Sequence, residues 1–369
     1  MALELSAEKW LLATSTGRDR PRIKTITAGD DTALEAEIAA AKRHFELPDD
    51  APVVSCYEAG RDGFWPHRLL ERLGVVNRPI DAASMLVDRR ARRAKTDRLD
   101  VRRLLADLLR YEAGDVDVWS VVEVPDEEDE DNRRGPRELE RLKQEETQHR
   151  ARIRSLLATQ GPCADRDFQT ALRSPESLRD WQGNPLFPQL ASEIAREVKR
   201  LDLVRKHIRE VESARDKALK GSQPLSGALA KVDLLAHLRG IGVDSASLLV
   251  MEFFAWRVFK NRRELTGAVG LGGTPYASGS MQREQGISKN GNRRVRSRVI
   301  ELAWLWLRYQ PDSDLTEWFR RKFGDGGKRG RRRGIVALAR RLLIEIWHFV
   351  EHGVVPSGAV LKPAHTEAP

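Results

Sequence analysis

The chain has 369 residues, 40% of them hydrophobic, and a formal net charge of +9. That length suits two or three domains with true cores, and the excess of Lys and Arg suits a polyanionic partner such as nucleic acid. Two cysteines are too few for a disulfide framework or a zinc pattern, and no apolar run approaches the roughly 18 residues of a membrane span; MALELSAEKW lacks a signal-peptide core, so a cytoplasmic protein is expected.

LELS reads as a strand that starts almost at the first residue. WLLATS and RIKTITA read as the next two, joined by the turn TGRDRP. DDTALEAEIAAAKRHF has acidic leading residues and helical periodicity. PVVSCYEA is a buried-type strand ending in an acid, GFWPHRLLERLG a helix stopped by Gly, and VVNRPI another short strand. A helix then spans about Thr96 to Tyr111. Three strands, helix, strand, helix, strand, helix is the order of an RNase H-like α/β layer, an order that other α/β folds share in part. Residues 1–122 are assigned to this domain.

VPDEEDEDNRRGP reads as a solvated loop, acidic and then basic. Two helical stretches follow, RELERLKQEETQHRARIRSLLATQG and ASEIAREVKRLDLVRKHIREVESARDKALK. The first carries Leu139, Leu142, Ile153 and Leu156 on a narrow stripe. Narrow stripes flanked by charge suit an antiparallel hairpin or coiled coil, used for oligomerisation or as a spacer. Linker and arm are assigned to residues 123–224. Residues 225–352 form a third, mostly helical domain, and 353–369, including GAVLKPAHTEAP, read as a disordered tail.

The stretch RRARRAKTDRLDVRRLL begins at Arg89, and eight of its first fifteen residues are cationic, among them Arg90, Arg92, Arg93 and Lys95. Asp97 and Asp100 sit inside it. On a helix they are i,i+3 neighbours on one face. Two carboxylates held close need a cation between them: arginine in a salt-bridged surface helix, or a divalent metal with oxygen ligands. Glu58 ends a buried-type strand, where a carboxylate is costly unless used, and Glu4 lies in the first strand. In an RNase H-like layer the first strand, the fourth strand and the last helix converge at one edge. Glu4, Glu58, Asp97 and Asp100 would there hold two Mg²⁺ ions for phosphoryl transfer, and the arginines would bind the phosphate backbone.

Further along, LRGIGVDSASLLV has the shape of a helix-hairpin-helix, with Gly240 and Gly242 permitting a tight turn. Its amides could face a phosphate, or it is a plain interhelical turn. GLGGTPYASGSMQREQG is too rich in Gly and Ser for a regular helix, and lets a backbone approach DNA closely. A serine in such a segment is ordinarily a turn residue, and no His lies nearby to activate one. ISKNGNRRVRSRVIELAWLWLRY opens as a basic turn with Lys289, Arg293, Arg294, Arg296 and Arg298, which suit phosphate contacts. Trp304 and Trp306 read as core residues. KRGRRRG, with Lys328, Arg329 and Arg331, reads as a second basic loop, solvated or gripping RNA or DNA, ahead of an amphipathic C-terminal helix.

Two blocks in this order carry a resemblance. CYEAGRDGFW followed by RRARRAKTDRLDVRRLL resembles the N-terminal domain of the DEDD insertion-sequence transposases, the Piv-like recombinases with a RuvC-like domain and a bridge RNA. LRGIGVDSASLLVMEF with LTGAVGLGGTPYASGSMQREQGISKNGNRRVRS resembles that family's second domain. The resemblance spans roughly residues 3–350. It implies that Glu4, Glu58, Asp97 and Asp100 form the acidic quartet for Mg²⁺. ELS stands where the family has D-x-S, so the first ligand is longer by one methylene. It also implies a serine nucleophile before the I-S-K-x-G-N element. Ser278 fits best because it precedes Gly279, with Ser280 as runner-up. The implied protein is a bacterial enzyme that cuts and rejoins donor and target DNA through a phosphoserine link. A bridge RNA would guide it, and a dimer would pair into a tetramer. Two other readings stay open: a two-metal nuclease of the resolvase type that uses water, and a degenerate nucleic-acid-binding protein.

Overall fold

The computed structural model describes residues 1–60, 63–85, 96–161, 165–221, 225–278 and 281–363. The chain divides into two compact units, Met1–Val124 and Pro125–Pro369, so the arm and the C-terminal domain belong to one body.

The first unit is a five-stranded sheet with helices. Its strands are β1 (Ala2–Leu5), β2 (Lys9–Thr14), β3 (Arg22–Thr27), β4 (Val53–Ala59) and β5 (Val75–Asp81). Its helices are α1 (Asp31–His44), α2 (Trp65–Arg72) and α3 (Asp97–Glu112). The strand order is β3-β2-β1-β4-β5. The first three strands pair antiparallel, and β1, β4 and β5 pair parallel. Parallel neighbours need a crossover, which α1 and α2 supply. Asp30 caps α1 by accepting from the Ala33 amide at 2.8 Å. Side chains alternate across the sheet, so each face has its own core. Leu3, Trp10, Leu12 and Tyr57 pack with Leu34 and Leu70 on one side. Ala2, Ala13, Cys56 and Ile80 pack with Val101, Leu104 and Leu108 of α3 on the other. Burial pushes the Cys56 thiol up to about 12, which makes it a core residue rather than a nucleophile.

The second unit is mostly helical. The acidic linker contains a short helix, α4 (Glu127–Asn132), where a loop was expected. Asp126 caps it by accepting from the Asp129 amide, and the acids in its first turn suit a helix N-terminus. The arm consists of α5 (Arg134–Ala158) and α7 (Pro188–Gly221), with α6 (Asp165–Arg173) between them. Leu139 and Leu142 meet Val204 and Ile208, whereas Ile153 and Leu157 meet Ile194, Val198 and Leu201. That pairing makes the two long helices antiparallel. Leu157 is buried beside Ile153, whereas Leu156 is half-buried.

The remaining elements are α8 (Gly227–Ala236), α9 (Val243–Leu249), a π-helical turn at Val250–Phe254 and α10 (Arg262–Ala268). Next come a hairpin of β6 (Gly273–Ser278) and β7 (Met281–Ile287), then α11 (Arg293–Tyr309), α12 (Asp314–Phe323) and α13 (Gly327–His352). One core joins the helices, with Phe253, Phe254, Leu302, Trp306, Leu342 and Phe349 at its centre.

Three expectations change here, and the Gly- and Ser-rich segment, expected only not to be a regular helix, is an antiparallel hairpin. The basic KRGRRRG stretch is the start of α13, because Gly334 seats the helix on Phe319 and Phe323. A Cβ at Gly334 would stand 2.6 Å from the Phe323 ring. Trp306 is buried and donates to Ser313 Oγ at 2.8 Å, but Trp304 is 47% exposed. Residues 358–362, read as part of a disordered tail, are held: Leu361 bridges to Leu238, and the Lys362 amide donates to the His237 carbonyl at 2.7 Å.

Candidate active site and nucleic-acid interface

The acids of the first unit are placed by strand register. Ala2 lies beside Cys56 and Leu3 beside Tyr57, so the next step along β1 and β4 sets Glu4 beside Glu58. Ala2 and Cys56 face α3, and residues two apart share a face, so Glu4 and Glu58 project on that same side. Helix α3 lays Val101, Leu104, Leu105 and Leu108 on the sheet. Asp97 and Asp100 continue this stripe one turn earlier, by the i, i+3, i+4, i+7 spacing. All four acids therefore belong to one edge of one layer. Glu4 and Asp100 are half-buried; Glu58 and Asp97 are exposed, so burial does not raise the cost of a carboxylate at Glu58. Among the described residues, no three His, Cys, Asp or Glu side chains are gathered closely enough to hold a metal ion. The four donors are all hard oxygens, the kind Mg²⁺ takes. Arg89, Arg90, Arg92, Arg93 and Lys95 lie outside the described residues.

In the second unit, backbone meets backbone around the S-K-N-G-N turn. The Lys289 amide donates to the Gly270 carbonyl at 3.1 Å, and the Asn292 amide to the Ala268 carbonyl at 2.8 Å. Gly270 and Gly291 take φ of +67° and +83°. A Cβ on Gly291 would lie 2.2 Å from the Ala268 oxygen, and one on Gly270 would lie 2.0 Å from the Asn290 oxygen. Only glycine permits this approach. Asn292 then starts α11: its Oδ1 accepts from the Arg294 and Val295 amides at 3.0 and 3.2 Å.

Asn292 has a second task. Its Nδ2 donates at 2.8 Å to Glu252, whose side chain is fully buried in the π-helical turn. Glu252 also takes a two-pronged contact from Arg137 of α5 and a 3.4 Å contact from Arg133. Burial alone would raise this carboxyl, but the Arg137 hydrogen bonds and charge, with Arg133 and Asn292, hold it below its ordinary value. Arg294 pairs with Glu140 of α5 as well. Lys143 and Arg215 close on Asp244, whose pKa is lowered: burial opposes ionisation, and the two cations outweigh it. These ion pairs fasten the arm to the helices that carry the basic turn.

The expected phosphate-binding cations divide accordingly. Lys289 and Arg293 are exposed, as are Lys328, Arg329 and Arg331. Arg294 is committed to Glu140, and Arg296 donates to the Val269 carbonyl at 2.8 Å. Arg298 pairs with Glu301 at 3.0 Å. Gly240 has φ +95° and packs against Tyr309. Its neighbour Arg239 donates its amide to the Val360 carbonyl, and Gln310 Nε2 donates to the Arg239 carbonyl. Gly242 precedes α9 as its cap residue. Ser278 ends β6, where its backbone pairs with Met281; Ser280 lies outside the described residues.

Sequence reasoning missed Glu252 and the two glycines that lock the turn. Glu252 did leave a signal, as a lone acid within the apolar run SLLVMEFFAW. Gly270 and Gly291 looked like other loop glycines, since their close contact joins segments 21 residues apart.

Residues 232–316 match the transposase family described as IS116/IS110/IS902. That span holds Glu252, Gly270, Ser278 and the Lys289–Asn292 turn. The chain is 39% identical over 376 residues to "Putative transposase y4rJ" of Sinorhizobium fredii, covering 98% of this chain and 94% of that protein. It is 31% identical over 265 residues to "Putative transposase y4qE" of the same organism, covering 70% of this chain and 60% of that one. No described helix is long and apolar enough to cross a membrane. Matched over nearly its whole length by one transposase relative and through its C-terminal helices by the family pattern, the chain belongs to the IS116/IS110/IS902 transposase family.

Proposed function

We propose that this transposase cuts and rejoins DNA strands with two sets of groups. One is an acidic quartet, Glu4, Glu58, Asp97 and Asp100, on an RNase H-like first unit. The other is a serine nucleophile, Ser278, at the end of β6. The strand order β3-β2-β1-β4-β5, antiparallel and then parallel, supports the RNase H-like assignment. The observation that carries the reading is the register of β1 on β4. It sets Glu4 beside Glu58 on the face that α3 covers, with Asp97 and Asp100 at the start of that helix.

The quartet would hold two Mg²⁺ ions, which supply charge neutralisation at the attacking and leaving oxygens of phosphoryl transfer. The chain's own residues do the rest. Ser278 Oγ gives up its proton and forms a bond to a DNA phosphorus as the bond to the 3′-oxygen breaks. The oxygen leaves as a 3′-hydroxyl after taking a proton, and the 5′-phosphate stays on the serine. Attack on that phosphoserine by a 3′-hydroxyl of the partner strand reverses the step and reseals the DNA without net hydrolysis. The exposed cations Lys289, Arg293, Lys328, Arg329 and Arg331 would hold phosphates of donor DNA, target DNA and a bridge RNA. Assembly as a dimer that pairs into a tetramer belongs to the same reading.

The competing reading is a nucleic-acid-binding protein without catalysis. Glu4 in the D-x-S position favours it. Asp97→Ala separates the two. The catalytic reading expects loss of Mg²⁺-dependent DNA cleavage, weaker Mn²⁺ binding and an unchanged circular dichroism spectrum. Equal activity or equal Mn²⁺ binding in the variant would remove Asp97 from the quartet.

A further inference from the structure

A groove of about 1630 Å³ lies in the second unit, beside the hairpin. Arg262 and Arg263, at the start of α10, line one part of it. Arg332, Arg333, Arg340 and Arg341 of α13 line another, with Lys289 from the basic turn. Leu315, Val336 and Ile344 give it an apolar lining. Gly273, Gly286 and Ile287, the base of the β6–β7 hairpin, border it too. Helix α13 builds its share by spacing alone: 333, 336, 337, 340, 341 and 344 recur at i, i+3, i+4, i+7, i+8 and i+11. One helical face therefore alternates guanidinium and aliphatic groups.

Two features mark this cluster. Arg133, Arg137, Arg215 and Arg294 are each matched to a carboxylate. In contrast, among the described residues Arg262, Arg263, Lys289, Arg332, Arg333 and Arg340 have no ion pair, although Glu345 is also in the lining. Seven cations gathered with a single carboxylate leave an excess of like charge that repels. A polyanion that displaces the counterions relieves it. Second, Arg341 stacks on Trp318, with its guanidinium carbon 4.0 Å from the ring centroid. A guanidinium held flat in this way offers its other face to a planar base.

We infer that this groove binds a single, unpaired nucleic-acid strand, with phosphates on the arginines and bases on the apolar lining and the Arg341–Trp318 stack. A duplex keeps its bases stacked inside and would leave the apolar lining unused. The hairpin base at the groove's border places such a strand next to the element that carries Ser278. The inference rests on the nucleic-acid substrate of a transposase, and not on the metal or serine assignments.

The test is fluorescence anisotropy of the full-length protein in EDTA, so that no metal chemistry intervenes. The probes are a 20-nucleotide single-stranded DNA, its RNA equivalent and the same-length duplex. Wild-type protein should prefer the unpaired strands, and the DNA and RNA arms report which sugar the groove takes. Changing Arg333, Arg340 and Arg341 together to Gln should weaken unpaired-strand binding on the order of tenfold and flatten the salt slope by about 2, from 0.7 per lost phosphate contact. Arg262→Gln with Arg263→Gln should act in the same direction. Duplex binding should change less. The control removes equal charge from the exposed arm positions Arg196, Lys199 and Arg209. Unchanged unpaired-strand binding, an equal loss in the arm control, or a larger loss on duplex than on single strand would each overturn the inference.

Discussion

Glu252→Ala is the substitution that most stringently tests how the second unit is held together. The Glu252 carboxylate has no solvent exposure and four donor contacts, two from Arg137 and one each from Arg133 and Asn292. Removing it strands Arg133, whose side chain is 13% exposed, and leaves Arg137, 34% exposed, only partly rescued by water. Breaking a buried pair from one side costs about 3–5 kcal/mol. For a body of this size, each kcal/mol moves Tm by about 2–4 °C, so the melting point should fall by about 6–20 °C. The sign with pH follows from the depressed carboxyl of Glu252. Its contribution is complete above its unfolded value of 4.5 and is lost as pH falls through the lower folded value. The gap in stability between wild type and Glu252→Ala should therefore narrow as pH falls below 4.5. Thermal melts followed by circular dichroism at pH 7 and at pH 3.5 measure both effects, and a double-mutant cycle with Arg137→Ala isolates the pair. A Tm within 2 °C of wild type at pH 7, or a gap that widens in acid, would refute the reasoning.

Glu197 provides the contrast. It is 3% exposed and meets His149, Arg152 and Arg200, but both arginines are 55% exposed and can return to water. Glu197→Gln should cost about 1 kcal/mol or less, read by urea denaturation; a loss as large as that of Glu252→Ala would mean that partner exposure does not govern the cost. Gly291→Ala places a methyl 2.2 Å from the Ala268 oxygen at φ +83°. The left-handed backbone costs an alanine about 1–2 kcal/mol and the clash about 1–3 more. Faster amide exchange at Lys289 and Asn292 should accompany that loss, and wild-type exchange rates there would contradict the interlocked-turn account.

Much of the first unit was legible because its elements follow local rules. Apolar runs rich in Val, Ile and Leu made the strands, and Asp30 and Asp31 marked the start of α1. The strand register that sets Glu4 beside Glu58 was not legible, since pairing is a long-range property. In the second unit the failures share a cause. KRGRRRG looked like a loop because its two glycines disfavour a helix, but tertiary packing of Gly334 on Phe319 and Phe323 overrides that preference. The hairpin was hidden by Pro275 and by polar strands, which lack the alternation that marks a half-buried strand. Trp304 and Trp306 sit in the same apolar helix, yet only Trp306 points inward, at the one-residue resolution that helical phase requires. The held segment near Leu361 carried no signal of its own, because its partners Leu238 and Gln310 are far away in sequence.

The central claim is a serine that bonds to DNA, and a denaturing gel tests it most directly. The protein is incubated with Mg²⁺, labelled junction and target DNA from its own element, and RNA from the element's flanks. The account predicts a slow-migrating protein–DNA band that survives denaturation and disappears with Ser278→Ala. Cut DNA without such a band, or a band that persists in Ser278→Ala, would contradict it.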